Sequence, residues 1–84
     1  MKLSVKSLTI TLALFWGGTV FIVALLNFLS PPYGKVFLDL VSSVYPGYKV
    51  VGSFSSVIVG TLYAAVDGAI GGVIFAATYN RFAD

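Results

Sequence analysis

The chain has 84 residues, of which 58% are hydrophobic and 10% charged, with a formal net charge of +2. Soluble domains carry roughly 25% charged residues, and one this small has too much surface to hide so much apolar area. The composition therefore excludes an ordinary soluble domain. It also lacks the basic patch a nucleic-acid partner needs, and with no Cys and no His it offers no disulfide, thiol chemistry or common zinc ligand.

Taken in order, Met1 to Lys6 is a short tail holding Lys2 and Lys6, and no charge follows until after Leu29. Leu8 to Leu29 is about 22 residues, enough to span roughly 30 Å of hydrocarbon. A signal peptide also opens on positive charge, but its apolar core runs to about 7–15 residues and ends at a small-residue cleavage site. This run is longer and closes on Asn27-Phe28-Leu29-Ser30, so a retained span is expected. Within it Ala13, Gly17, Val20, Ala24 and Asn27 share one face, expected to pack on a second helix, while Leu14, Phe21, Leu25 and Phe28 share another suited to lipid. Trp16 stands apart, because Trp favours the membrane interface. A packing role beside Gly17-Gly18 is the expectation for its ring.

Ser30-Pro31-Pro32 ends the first helix, since proline removes a donor and restricts the residue before it. In the connection, about residues 33–49, Phe37, Leu40, Val41 and Val44 repeat at i, i+3, i+4 and i+7. Lys35, Asp39, Ser42 and Ser43 keep to other faces, which predicts a short amphipathic helix. Such a helix is expected to rest in the headgroup layer, with Tyr33, Tyr45 and Tyr48 beside it, and Tyr79 at the far end, as interfacial rings. Pro46-Gly47 turns the chain toward a second span, about residues 52–79, which as a straight helix would measure about 42 Å.

The fold class is thus an all-α membrane protein: one domain, a two-helix transmembrane hairpin with an interfacial helix in its connection. Two spans put both ends of the chain on one side. Lys2, Lys6 and Arg81 in the tails outnumber Lys35 and Lys49 in the connection, so a positive-inside count places the ends in the cytoplasm.

Two features of the second span bear on function. Small residues recur at every fourth position: Gly52, Ser56, Gly60, Ala64, Gly68, Gly72 and Ala76. Such residues let helix backbones approach closely. The series drifts by about 40° per step on an ideal helix, so two partners are needed to cover it; the first helix is expected to supply one, a neighbouring subunit the other. The second feature is Asp67, the one charge inside the span. Ser56, Gly60, Asp67, Gly71 and Thr78 fall on its face. An intramembrane carboxylate is costly and should meet protein or water; as a hydrogen-bond donor to a backbone carbonyl or to the intramembrane Asn27, a pore-lining group or a proton carrier it would have different duties. The donor role is the one expected to serve assembly. Ser56, Gly60, Ala64, Asp67, Gly68, Gly71, Gly72 and Ala76 make up the candidate assembly or pore face. No second carboxylate accompanies Asp67 and no phosphate-cradling loop is present, so no enzyme, metal or cofactor is expected.

Tyr45-Pro46-Gly47-Tyr48, Val66-Asp67-Gly68, Gly71-Gly72, Phe75-Ala76 and Tyr79-Asn80-Arg81, with the opening MKLSVKSL and Trp16-Gly17, carry a resemblance. The chain is similar to a family of small bacterial two-span membrane proteins of unassigned function, some labelled bacteriophage holin. The resemblance implies a small bacterial two-span membrane protein, here expected in the inner membrane. The functional expectation is a non-enzymatic homo-oligomer in the lipid bilayer, holin-like or channel-like. The alternative is an accessory subunit packed against a larger membrane complex.

Overall fold

The computed structural model describes residues 2–49 and 53–83, and every regular element in them is helical: α1 (Val5–Leu29), α2 (Lys35–Val44) and α3 (Phe54–Phe82). The expected start of the second span at Gly52, and Gly52 as the first of the small-residue series, lie outside the described residues. α1 has 25 residues and α3 has 29, about 37 and 43 Å at the helical rise. The molecule measures 48 × 19 × 18 Å, so the two helices run side by side as an antiparallel hairpin. Each is long and apolar enough to cross a membrane.

Local chemistry sets the ends. Ser4 accepts a hydrogen bond from the Ser7 N–H at 3.1 Å and Ser53 one from the Ser56 N–H at 3.3 Å, each satisfying a donor the helix leaves free. α1 therefore begins three residues before the apolar run does. α3 continues past Tyr79 to Phe82, with Arg81 in its last turn, where a cation suits the helix dipole. Below that turn the chain ends meet. The Leu3 N–H donates to Asn80 Oδ1 at 2.6 Å, and Asn80 Nδ2 donates back to the Leu3 carbonyl at 2.8 Å.

The hairpin closes on small residues. α1 buries Gly17, Val20, Ala24 and Asn27, four of the five residues predicted for its packing face. α3 buries Val57, Gly60, Ala64, Gly68, Gly72 and Ala76. From Gly60 to Ala76 the every-fourth-residue series is thus buried within one chain. The drift does demand two partners, and both are internal: α1 lies against Gly68 and Gly72, and the ring of Tyr48 covers Gly60. The second contact expected from a neighbouring subunit is supplied by the connection.

The course of α2 differs from a helix resting across the hairpin's end. Leu38 packs with Ala24 and Val57, Val41 with Val20 and Ala64, and Tyr45 bonds to Trp16 and Asp67. From Leu38 to Tyr45 these contacts step back along α1 from Ala24 to Trp16, about 12 Å at the helical rise. α2 therefore runs down the side of the hairpin toward its middle. It can do so because its apolar arc is wide. Leu38, Val41 and Tyr45 are buried, while Val36, Leu40 and Val44 remain exposed on the next face and Lys35 pairs with Asp39 at 2.7 Å on the polar one.

Two turns permit this descent. Gly34 adopts a φ of 67° ahead of α2, and Gly47 a φ of 85° after it, conformations glycine takes without steric cost. The Tyr48 N–H donates to the Tyr45 carbonyl at 3.1 Å across Pro46-Gly47, a type II arrangement. The turn sets Tyr45 and Tyr48 on the same side, with ring centroids 6.5 Å apart.

Candidate functional site

Trp16 and Asp67 each lie near the midpoint of their helix, and α2 brings a tyrosine hydroxyl down between them. The Tyr45 Oη–H donates to Asp67 Oδ2 at 2.8 Å and accepts from the Trp16 Nε1–H at 2.8 Å. The ring of Tyr45 stacks on Tyr63 at 5.2 Å, and the Tyr63 hydroxyl in turn donates to the Pro46 carbonyl. Phe37 meets Trp16 edge-on at 5.9 Å. Three aromatic side chains, one from each helix, thus surround one phenol. Burial pushes the Tyr45 hydroxyl above its ordinary range, donation to Asp67 pushes the same way, and the Trp16 bond opposes both. Tyr45 is the donor to Asp67 in this chain of bonds.

Asp67 itself is exposed on the flank of the hairpin. Beside it a cavity of about 270 Å³ opens between α2 and the hairpin, walled by apolar side chains of α2 and by Trp16. Further along the same face, Gly71, Ile74, Phe75, Thr78 and Tyr79 line a shallow groove of about 440 Å³. A side chain at Gly71 would meet nothing within 4 Å.

The predicted face therefore divides. Gly60, Ala64, Gly68, Gly72 and Ala76 are buried inside the hairpin. Ser56 is half-buried and turned back on Ser53, whose carbonyl its hydroxyl reaches at 2.7 Å. Asp67 and Gly71 remain open, with Thr78 beside them. Asn27 is buried, but its Nδ2 donates to the Tyr33 carbonyl at 2.8 Å, fixing the turn after α1; it has no part near Asp67. Of the four tyrosines expected at an interface, Tyr33 and Tyr79 are exposed, whereas Tyr45 and Tyr48 are 6% and 3% exposed. This corrects the interfacial expectation for those two: a ring beside Gly60 and Ala64 fills the space that small residues leave.

Tyr45 and Trp16 are the site residues that the sequence pattern misses. One signal was present. An indole N–H and a carboxylate, both placed deep in apolar spans, each need a polar partner, and the tyrosines of the connection are the nearest candidates. Compared with known proteins, the chain matches no family model, no curated protein and no solved structure.

Proposed function

We propose that the chain is a non-enzymatic integral membrane protein of the bacterial inner membrane that works as a homo-oligomer, channel-like or holin-like, with the Asp67–Gly71–Thr78 face turned toward its neighbours or a passage between them. One observation carries the reading: a mid-helix carboxylate lies exposed on the hairpin's flank, directly above an open groove at a glycine. A carboxylate at that depth facing hydrocarbon costs about 2.5–3.5 kcal/mol on insertion scales, and association removes it from lipid. The buried small-residue stripe does not support the assembly, because α1 and Tyr48 already occupy it.

Native mass measurement of the purified chain in mild detergent tests this reading. The parent is expected to form a discrete oligomer. Gly71→Leu should disperse it, while Gly18→Leu, equally open on α1 with nothing within 4 Å, should not. A parent that stays monomeric and co-purifies with larger proteins would move the assignment to an accessory subunit. Orientation is a second expectation, motivated by the three basic residues of the tails. In intact cells an impermeant thiol reagent should label Ser30→Cys, exposed in the turn after α1, and spare Ser4→Cys; the reverse pattern would place the chain ends outside.

A further inference from the structure

The cavity beside Asp67 is distinct from the groove at Gly71, and its chemistry is selective. Its walls are apolar or aromatic, with Asp67 the one charged residue among them. Asp67 Oδ2 is occupied by Tyr45, and Oδ1 has no hydrogen-bond partner among the described residues. The salt bridge found among those residues is Lys35–Asp39, so no cation of the chain itself neutralises Asp67 there.

We propose that this cleft is a binding site for a small hydrophobic organic ammonium, seated between the Asp67 carboxylate and the faces of its aromatic lining. Carboxylate and ammonium are complementary in charge, and the attraction strengthens where water is excluded. Aromatic faces attract a cation within about 6 Å of the ring centroid, and Trp16, Phe37 and Tyr45 all border the space. The same walls argue against an inorganic ion: calcium takes about 6–8 oxygen ligands, and the cleft offers a carboxylate and one phenol. An alkylated ammonium has no such shell to replace, and its carbon surface matches Leu40, Val41 and Val44. A lipid tail would fit the walls but leave Oδ1 unpartnered. A lipid amine headgroup is held far away, since Trp16 lies about 20 Å below Leu29 at the helical rise.

Trp16 is the chain's one tryptophan, so its emission reports on the cleft directly. The full chain in neutral detergent would be titrated with benzyltrimethylammonium and, separately, with the uncharged isostere neopentylbenzene. The cation is expected to shift Trp16 emission saturably, and the isostere is not. Asp67→Asn should weaken the cation at least tenfold. Val44→Leu narrows the cleft from its exposed lip without adding an aromatic face, leaves the carboxylate in place and should weaken binding several-fold, which decides the matter if Asp67→Asn fails to fold. No saturable response, an equal response to neopentylbenzene, or parental affinity in Val44→Leu or in a folded Asp67→Asn would each overturn the proposal. Native mass of the same samples reads the oligomeric state separately, so failure of binding and failure of the assembly reading are told apart.

Discussion

A single methyl group at Gly68 is expected to break the hairpin's packing. A Cβ built there falls on the Leu12 carbonyl oxygen, with the Leu12 carbonyl carbon at 2.8 Å and Ala13 Cα at 3.1 Å. All three are backbone atoms in the middle of α1, and none can yield without moving the helix. Gly72 is similar, with Leu8 O at 2.6 Å and Thr9 Cα at 2.8 Å. Gly60 meets the Tyr48 ring at 2.8 Å, a side chain, but one buried by its surroundings. Overpacking of this kind costs about 1–3 kcal/mol, and the rigid partner puts Gly68→Ala at or above the upper end. Gly18 is the comparison. Its Cβ meets open space, so Gly18→Ala should stabilise α1 by about 0.5–1 kcal/mol through helix propensity. Reversible unfolding in mixed micelles, followed by helicity, would measure both. Equal stability of Gly68→Ala and Gly18→Ala would show that the close approach at Gly68 is not what holds the helices together.

That contrast also shows how the sequence encodes the fold. Each glycine pair divides its labour. Gly17 and Gly72 face the partner helix, while Gly18 and Gly71 face outward. The period of four picks out the inward member in α3, so the hairpin, its two spans and its packing face were legible from spacing alone. The identity of the partner was not. A drift of about 40° per step says that two surfaces must cover the stripe, but periodicity within one helix cannot say whether the second comes from another subunit or from the same chain. The deciding residues, Tyr45 and Tyr48, lie in the connection. Their flanking position and amphipathic rings suit an interface equally well. Only the Pro46-Gly47 turn and the descent of α2 bring them to Gly60 and Asp67. The pairing of Tyr45 with Asp67, 22 residues apart, is tertiary, and no local pattern of either segment records it.

The middle of a three-member chain of bonds is its most sensitive point, so Tyr45→Phe should cost more than the loss of any other tyrosine hydroxyl. The change leaves the ring, its stacking on Tyr63 and the surrounding packing in place. It removes one oxygen that both donates to Asp67 and accepts from Trp16. Two polar groups near the midpoints of apolar helices lose their partner together. Leaving a polar group unpaired in such surroundings costs about 1–3 kcal/mol, with the carboxylate the more demanding of the two. Tyr63→Phe is the matched control. It deletes the same atom from the neighbouring ring, but its bond to Pro46 is exposed and should be worth about 0.5–1.5 kcal/mol at most. The cost of Tyr45→Phe should moreover be recoverable. Replacing both partners of a hydrogen bond by apolar groups can be close to neutral, so adding Asp67→Leu to Tyr45→Phe should restore stability toward the parent, although the indole N–H stays unpaired. Unfolding midpoints of the two single variants and the double variant, with Trp16 emission as a local reporter of α2, would decide it. If Tyr45→Phe is no costlier than Tyr63→Phe, or if Asp67→Leu deepens the loss, the hydroxyl is not the bridge that ties α2 to the centre of the hairpin.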